Sequence, residues 1–440
     1  MTTSPLDDEI LSPIFTTPEA QAVFDTTAWI ERVLLVERTL ANAQAKLGVI
    51  PQAAADAISA LTAADFDREL LAERTSVVGF PIVGIVEQIA ELAPDGLGEY
   101  AHWGATTQDI IDTVVVQQIR ETFDLIETHL RSLGAELARL AEAHRGSIML
   151  ARSQGQPALP TTMGMRAAGW LSGISRHLER LDAARPRVEK LQLSGAVGTA
   201  ASFGDSALEL QAMVAEELGL ARAEIQWHAQ RDSIVEAASV VAGITVSLGK
   251  IGLDIAMSAQ PEIGELSEGL SGDGAGASST MPQKRNPIAA QQLLQNARIT
   301  KGLLPLVFDS ALVDNDRGIG VWQVEWFALP QILALGASAA AKADALIANL
   351  VIHPERMRSN VDGHDRVLAE AVMMSLAPDL GRQKAHHLVS QALRNHPGVR
   401  LGDALAAEGI EVDPKVLDPE NYLGTTNAEI DAVLAAFERR

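Results

Sequence analysis

The chain has 440 residues, of which 47% are hydrophobic and 21% charged, enough for a sizeable core in two or three domains. Acidic residues outnumber lysine and arginine by 57 to 35, and the net charge of −22 disfavours nucleic-acid and anionic membrane partners. Cysteine is absent, which excludes disulfides, thiolate metal sites and cysteine nucleophiles. We find neither a secretory leader nor an apolar run near 18 residues, and therefore expect a cytoplasmic protein.

The clearest periodic pattern lies between Asp112 and Arg145. Apolar residues recur there at alternating spacings of three and four, at Val116, Ile119, Phe123, Ile126, Leu130, Leu133, Leu137 and Leu140. This seam predicts one long helix packed beside others in a bundle. Asp109 and Asp112 stand at its start, where carboxylates cap free amides and suit the helix dipole.

Three further segments have the length and apolar content of long helices. They cover 162–185 before Pro186, 228–260 before Pro261, and 321–350, where Pro330 predicts a start or a kink. The predicted fold class is all-α, because alanine and leucine abound and aromatic residues make up only 4%.

We divide the chain into three helical domains. They are an N-terminal domain (1–110), a central long-helix bundle (111–350) and a C-terminal domain (351–440). Helices of this length expose more apolar surface than one chain covers, which favours self-association.

The most informative stretch runs from Ser267 to Pro287. Glycines at 269, 272, 274 and 276 are typical of a lid that closes over a substrate. Residues 278–287, Ser-Ser-Thr-Met-Pro-Gln-Lys-Arg-Asn-Pro, bring together hydroxyls, cations and an amide that can hold a carboxylate. A polar surface loop is the other interpretation, and a phosphate loop is excluded because the G-x-x-x-x-G-K-[ST] spacing is absent.

Residues 278–287 resemble the G-S-S-x-M-P-x-K-x-N-P signature of the fumarase/aspartase superfamily, with Ala277 at the first glycine. His-Trp-Gly-Ala-Thr-Thr-Gln-Asp-Ile-Ile-Asp-Thr at 102–113 is similar to a segment of adenylosuccinate lyases and 3-carboxy-cis,cis-muconate cycloisomerases. The segments at 227–232 and 385–388 resemble that branch as well. Those at 15–18 and 417–424 resemble the cycloisomerases in particular.

This resemblance implies an all-helical homotetramer with active sites assembled from three subunits. It implies a small polycarboxylate substrate. We expect no cofactor, and no metal, because an H-E-x-x-H or clustered carboxylate motif is absent. The shared chemistry moves a proton beside a carboxylate, through an aci-carboxylate intermediate, while a bond at the neighbouring carbon forms or breaks.

Position by position, Ser278 matches the serine used as the base, and Lys284 and Asn286 match groups that hold the substrate carboxylate. Thr106 and Thr107 match a hydroxyl pair that contacts the substrate. A serine base needs nearby donors to stabilise its alkoxide, and loop amides with Lys284 are the candidates.

A trianionic substrate also needs a cationic pocket in this acidic protein, for which Arg152, Lys284, Arg285 and Arg317 are the candidates. Arg317 falls where the cycloisomerases carry Glu-Arg.

Several of these residues also fit a structural role. The two threonines can simply precede a helix capped by Asp109, and Arg317 can pair with Asp314 or Asp316. His386 and His387 face different sides of a helix, so they make a poor metal pair. Trp227 and His228 are interpreted as structural.

One departure from the lyase pattern argues against ordinary adenylosuccinate cleavage. Gln154 stands where adenylosuccinate lyases carry a proposed histidine acid, and 78–81, at a second histidine region, has nothing titratable. We count Gln154 among the substrate-binding candidates, although cycloisomerases tend to carry an apolar residue there. An amine leaving group needs a proton as it departs, whereas cycloisomerisation uses the substrate's own ionised carboxylate.

Three hypotheses follow. The first is a 3-carboxy-cis,cis-muconate cycloisomerase-like enzyme of aromatic catabolism with Ser278 as base and acid. The second is a fumarate-releasing C–N lyase acting on a succinyl compound of the nitrosuccinate or adenylosuccinate type. The third is a catalytically inactive structural paralogue, which the joint presence of Ser278, Lys284 and Asn286 disfavours.

Overall fold

A computed structural model describes residues 3–269 and 275–440. Helices make up most of these residues, and the strands among them form three two-stranded pairs. The all-α fold class predicted from the sequence is confirmed. Gly272 and Gly274 of the expected lid lie outside the described residues.

The first ten α-helices come before the glycine-rich stretch. In chain order they are α1 (Ser12–Phe15), α2 (Pro18–Phe24), α3 (Thr26–Lys46), α4 (Gln52–Ser59), α5 (Arg68–Val78), α6 (Pro81–Leu92), α7 (Thr107–Ala143), α8 (Met163–Val188), α9 (Ala207–Glu217) and α10 (Asp232–Ser258).

Seven more α-helices follow it. They are α11 (Ile288–Ser310), α12 (Val321–Ala348), α13 (Pro354–Asp362), α14 (Ala369–Leu380), α15 (Arg382–Asn395), α16 (Leu401–Ala407) and α17 (Thr426–Glu438). Short 3₁₀ helices lie at Ala63–Asp65, Pro94–Tyr100, Ala201–Ser206, Asp365–Leu368, Pro414–Leu417 and Pro419–Tyr422.

The strands are short and pair locally. β1 (Ile148–Ser153) and β2 (Gln156–Thr162) form an antiparallel hairpin, whereas β3 (Lys190–Leu191) and β4 (Ala221–Arg222) pair in parallel. β5 (Leu266–Glu268) and β6 (Leu350–Ile352) are antiparallel, with Leu266 opposite Ile352. The last pair fixes the chain immediately before the glycine-rich stretch.

The long helix expected from the apolar seam is α7, and it is confirmed. All eight seam residues are at most 2% exposed, so the alternation of three and four marks a buried stripe. The roles expected for its acidic residues differ from those seen. Asp109 accepts one backbone amide at the helix start, from Thr106, but Asp112 pairs with the buried Arg231 instead of capping.

The other long helices form with shifted ends. α8 continues past Pro186 to Val188, because a proline in the last turn removes few intrahelical bonds. α12 runs from Val321 to Ala348 with Pro330 inside it. α10 begins at Asp232 instead of His228, since 227–230 form a turn closed by the Gln230 N–H on the Trp227 carbonyl.

The chain divides into two compact units. The first comprises 1–129, 177–248 and 292–341, and the second comprises 130–176, 249–291 and 342–440. Within the first, α3 packs on α4 and α9; within the second, α14 packs on α15 and α13 on β1. The division into three domains at 110 and 350 stays a prediction.

Two helices, α10 and α12, are long and apolar enough to cross a membrane by length and composition. On that measure, the expectation that no stretch approaches the required length was wrong. However, 50% and 67% of their most apolar windows are buried inside the protein. Such burial is typical of the core helices of a globular protein.

Candidate functional site

A cleft of about 250 Å³ opens in the first unit around the start of α7. Its lining combines hydroxyls, amides, cations and aromatic rings, from Phe80, Thr106, Thr107, Gln108, His228, Arg231, Ser310, Val313, Arg317, Gly318, Val321, Trp322 and Gln323. Three residues predicted from the sequence, Thr106, Thr107 and Arg317, therefore share one cleft.

The threonine pair is fixed by the start of α7. The Thr106 N–H donates to Asp109 Oδ2 at 3.0 Å, and the Asp109 N–H donates to the Thr106 carbonyl at 2.9 Å. The first of these bonds is one half of a capping box, with Thr106 before α7 and Asp109 as its third residue. Asp109 is therefore not itself the cap that the structural interpretation expected, and Thr107 already belongs to the helix. This arrangement is local to the helix start. It leaves the half-buried side chains of Thr106 and Thr107 on the lining of the cleft.

Asp109 is fully buried and joins the start of α7 to two distant segments. Its carboxylate accepts the N–H groups of Ser194 at 2.9 Å and Gly195 at 2.8 Å, and contacts His228 Nε2 at 2.8 Å. A buried carboxylate must be satisfied in this way, since each missing bond costs several kcal/mol. His228 therefore has the structural role inferred from the sequence, while also lining the cleft.

Arg317 is held by neutral acceptors. Its guanidinium donates to the carbonyls of Gly195 at 3.1 Å and Ala196 at 2.9 Å, and also to Gln108 Oε1. No ion pair to Asp314 or Asp316 exists among the described residues. Burial lowers the pKa of Arg317, an effect that nearby buried carboxylates oppose. The side chain remains a cation without a directly paired carboxylate, which suits attraction of an anionic substrate.

A buried ion-pair network supports the same cleft. Arg231 donates to both oxygens of Asp112, at 2.7 and 3.0 Å, and to both oxygens of Glu325, at 2.6 and 3.1 Å. Burial raises the pKa of Glu325, whereas the two carboxylates hold that of Arg231 above its usual range despite burial. Sequence reasoning missed this network, although acids inside apolar helices were a usable signal.

Aromatic rings provide a second kind of lining. The ring centroid of Phe80 lies 6.1 Å from that of Trp322 and 6.2 Å from that of Trp326. Trp322 and Trp326 are 4.6 Å apart in an edge-on arrangement. Phe80 and Trp322 line the cleft, and Trp326 packs against both. The sequence gives no signal for this aromatic cluster beyond the lack of a titratable group around Phe80.

The segment 276–286 in the second unit, here called the signature loop, is closed by hydrogen bonds between its own two ends. Ala277 and Arg285 form an isolated antiparallel bridge. Asn286 donates to the Gly276 carbonyl twice, from its N–H at 2.7 Å and from Nδ2 at 3.1 Å. Gly276 has φ +69°, and a Cβ there would lie 2.6 Å from the Asn286 carbonyl oxygen. Glycine is therefore required at 276 by both conformation and space.

Within this loop Ser278 Oγ accepts the N–H groups of Met281 at 3.1 Å and Thr280 at 3.4 Å. Donors pointing at this oxygen favour its charged form, as a serine base requires. Lys284 is exposed, and its ammonium has no partner among the described residues. It is thus a cation available to a substrate.

The base of the loop is anchored by Glu268, the last residue of β5. Its carboxylate accepts the N–H groups of Ala289 at 3.2 Å and Ala290 at 2.8 Å. These amides lie in the first turn of α11, where an anion is favoured by the helix dipole. Glu268 therefore ties together the two ends of the stretch that carries Ser278.

Two other predicted residues lie on the β1–β2 hairpin. Arg152 forms a two-pronged ion pair with the buried Glu265, at 2.8 and 2.9 Å, and Asn360 donates to the same carboxylate. Gln154 is exposed in the two-residue turn, with φ +54°, followed by Gly155 with φ +73°. The Arg152 charge is thus already compensated, and Gln154 occupies a conformation that usually favours glycine.

Known proteins similar to this chain include lyases and cycloisomerases. A family model described as "Lyase" matches residues 14–300. A 3-carboxy-cis,cis-muconate cycloisomerase of Pseudomonas aeruginosa is 39% identical over 97% of this chain and 96% of that protein. An N-acetyl-S-(2-succino)cysteine lyase of Dickeya dadantii is 35% identical over 98% of this chain and 96% of that protein.

A solved structure is also similar to this chain over nearly its whole length. The crystal structure of 3-carboxy-cis,cis-muconate lactonizing enzyme from Pseudomonas putida matches with a TM-score of 0.91 and 34% identity. The match covers 98% of this chain and 99% of that one. The chain belongs to the fumarase/aspartase superfamily of lyases.

The superfamily membership predicted from the signature loop is therefore confirmed, and the chain is an enzyme of the lyase and cycloisomerase type. The two units divide the predicted site residues. Thr106, Thr107 and Arg317 belong to the first, whereas Arg152, Gln154, Ser278, Lys284 and Asn286 belong to the second. The catalytic and binding roles of all eight stay predictions.

Proposed function

We propose that this superfamily member is a 3-carboxy-cis,cis-muconate cycloisomerase-like enzyme with Ser278 as base and acid. Two observations support the proposal: backbone amides donate to Ser278 Oγ, and a neutral residue, Gln154, stands at the lyases' proposed acid position. Ser278 Oγ receives two amide donors, and Gln154 has no acidic proton. One mobile proton is what a reaction with an ionised internal nucleophile requires.

The proposed lactonisation balances with the groups described. An oxygen of one substrate carboxylate bonds to the unsaturated carbon β to a second carboxylate, and the electron pair of the broken π bond moves into that second carboxylate, which becomes an aci-carboxylate. Ser278 then gives its proton to the carbon beside that carboxylate and is reprotonated from solvent. Lys284 and Arg317 stabilise the added negative charge, while Thr106, Thr107 and Asn286 donate to the carboxylates.

Self-association as a homotetramer with shared active sites belongs to this proposal. Large apolar side chains on or beside the long helices are strongly exposed in the single chain, including Phe308 (51%), Leu312 (77%) and Phe327 (63%). Exposed apolar surface of this kind marks association sites. Sedimentation equilibrium of the purified protein tests the assembly. A cytoplasmic location is proposed with it.

The activity is tested by mixing the purified protein with 3-carboxy-cis,cis-muconate and following loss of the conjugated-diene absorbance. Rapid loss with formation of a lactone is expected. An unchanged spectrum at high enzyme concentration would overturn the proposal and turn attention to fumarate release from succinyl compounds.

A second candidate is a lyase of a succinyl thioether, favoured by the 35% identity to the Dickeya dadantii enzyme. A thiolate leaves without prior protonation more readily than an amine, since a thiol pKa is about 8.5. Fumarate release from N-acetyl-S-(2-succino)cysteine, measured beside the muconate assay, distinguishes the two candidates.

A further inference from the structure

The aromatic part of the cleft is built from two distant segments. Phe80 precedes α6, and Trp322 is the second residue of α12. Both rings are half-buried and line the cleft, whereas Trp326 supports them from outside its lining. Ring separations of 4.6 to 6.2 Å lie in the range of specific aromatic packing. The rings are therefore held in a defined arrangement before any ligand arrives.

The rest of the lining contains the groups that a carboxylate needs. Thr106 and Thr107 contribute hydroxyls, and Arg317 contributes a cation without a paired carboxylate. Hydroxyls and a cation of this kind do not distinguish a saturated polycarboxylate from an unsaturated one of the same size and charge. They do not explain why aromatic rings also line the cleft.

Aromatic faces add selectivity for flat, conjugated ligands. A planar π system stacks on a ring or meets its edge, whereas a saturated chain is puckered and offers no face. We propose that Phe80 and Trp322 form a stacking wall that makes the cleft selective for planar, conjugated polycarboxylates over their saturated counterparts. The inference rests on the proposed function only in placing the substrate in this cleft.

The test measures binding directly and does not depend on turnover. Isothermal titration calorimetry gives Kd for trans-aconitate, a tricarboxylate whose alkene and two attached carboxylates form a planar conjugated unit, and for tricarballylate, its saturated counterpart with the same charge. The wild type is expected to bind trans-aconitate more tightly. Trp322→Leu, which keeps apolar volume but removes the ring face, is expected to reduce that preference about tenfold. Trp322→Phe, which keeps a face, is expected to restore most of it.

Trp326→Phe is the matched control, because Trp326 packs on both rings without lining the cleft. It is expected to keep the wild-type preference. Circular dichroism and size-exclusion chromatography of each variant separate lost selectivity from lost folding.

Equal affinity of the wild type for the two acids, or no binding of either, would overturn the inference. So would a preference in Trp322→Leu as large as in the wild type, and so would equal effects of Trp322→Leu and Trp326→Phe. Absence of muconate turnover in the wild type contradicts the proposed function instead, and leaves the ratio of the two affinities readable.

Discussion

The cleft and the signature loop are held in place by different interactions. Around the cleft, buried charges join residues far apart in the chain: Asp109 binds Ser194 and His228, and Arg231 binds Asp112. In the loop, the bonds of Ser278 and Asn286 stay within ten residues and near the surface. The cleft therefore depends on the whole helical scaffold, whereas the loop carries the geometry of its serine within itself.

This contrast fits different roles for the two regions, with substrate recognition in the cleft and proton transfer in the loop. Rigid, buried supports suit groups that must recognise carboxylates in a fixed arrangement. A self-bonded loop suits a proton-transfer group, since amide donors stay on Ser278 Oγ if the loop moves as a unit. Substitutions in the loop should therefore change chemistry with little loss of stability, and those beneath the cleft should do the opposite.

The largest effect is expected for Ser278→Ala, which tests whether the loop carries the chemistry. Loss of the proton-transfer group is expected to lower kcat about a thousandfold or more, with the assembly unchanged. Ser279→Ala is the matched control, because the neighbouring hydroxyl is exposed in the same loop, and it should keep kcat within about tenfold of the wild type. Steady-state kinetics and sedimentation are the measurements. A near-normal kcat for Ser278→Ala would remove this serine from the mechanism.

Beneath the cleft, Arg231→Ala should cost stability. It leaves Asp112 and Glu325 buried without their cation, which is expected to lower the free energy of unfolding by about 3–5 kcal/mol. Arg187→Ala, which removes an exposed ion pair to Glu236, should cost far less, because solvent screens that pair. Urea unfolding of both variants gives the comparison. Equal losses would show that burial of the network is energetically unimportant.

The same contrast explains what sequence reasoning found. The seam of α7 and the signature loop were predicted because their information is local: a spacing of three and four, and ten consecutive residues. The network of Asp112, Arg231 and Glu325 was missed because its partners are up to 119 positions apart. The positive φ of Gln154 could not be predicted either, since a glutamine gives no signal for that conformation.

The segment preceding α7 contains a buried histidine–carboxylate pair whose contribution to stability should depend on pH. His102 Nδ1 lies 2.7 Å from Oε1 of the buried Glu37. Burial lowers the pKa of His102, but the Glu37 carboxylate outweighs it, and the net pKa is raised above 6.5. A raised histidine pKa stabilises the folded chain fully below pH 6.5, and this stabilisation is lost as pH rises through the raised value.

We therefore expect His102→Gln to lower the free energy of unfolding by about 2 kcal/mol at pH 6. The difference from the wild type should shrink steadily at higher pH, as the wild-type histidine loses its proton. Urea unfolding at pH 6, 7.5 and 9 measures it. A difference that stays constant over this range would show that the pair does not depend on a charged imidazole.

The smallest expected effect concerns Gln154, where turn geometry and substrate binding make separate demands. At φ +54° a side chain is strained, so Gln154→Gly should raise the free energy of unfolding by about 0.5–1 kcal/mol, whereas Gln154→Ala should not. If the amide also binds substrate, both variants raise KM to a similar extent. Thermal unfolding and KM together resolve the two demands. Stabilisation by glycine with KM unchanged in both variants would show that Gln154 serves only the turn. The position of the lyases' proposed histidine acid would then have no role in substrate binding in this protein.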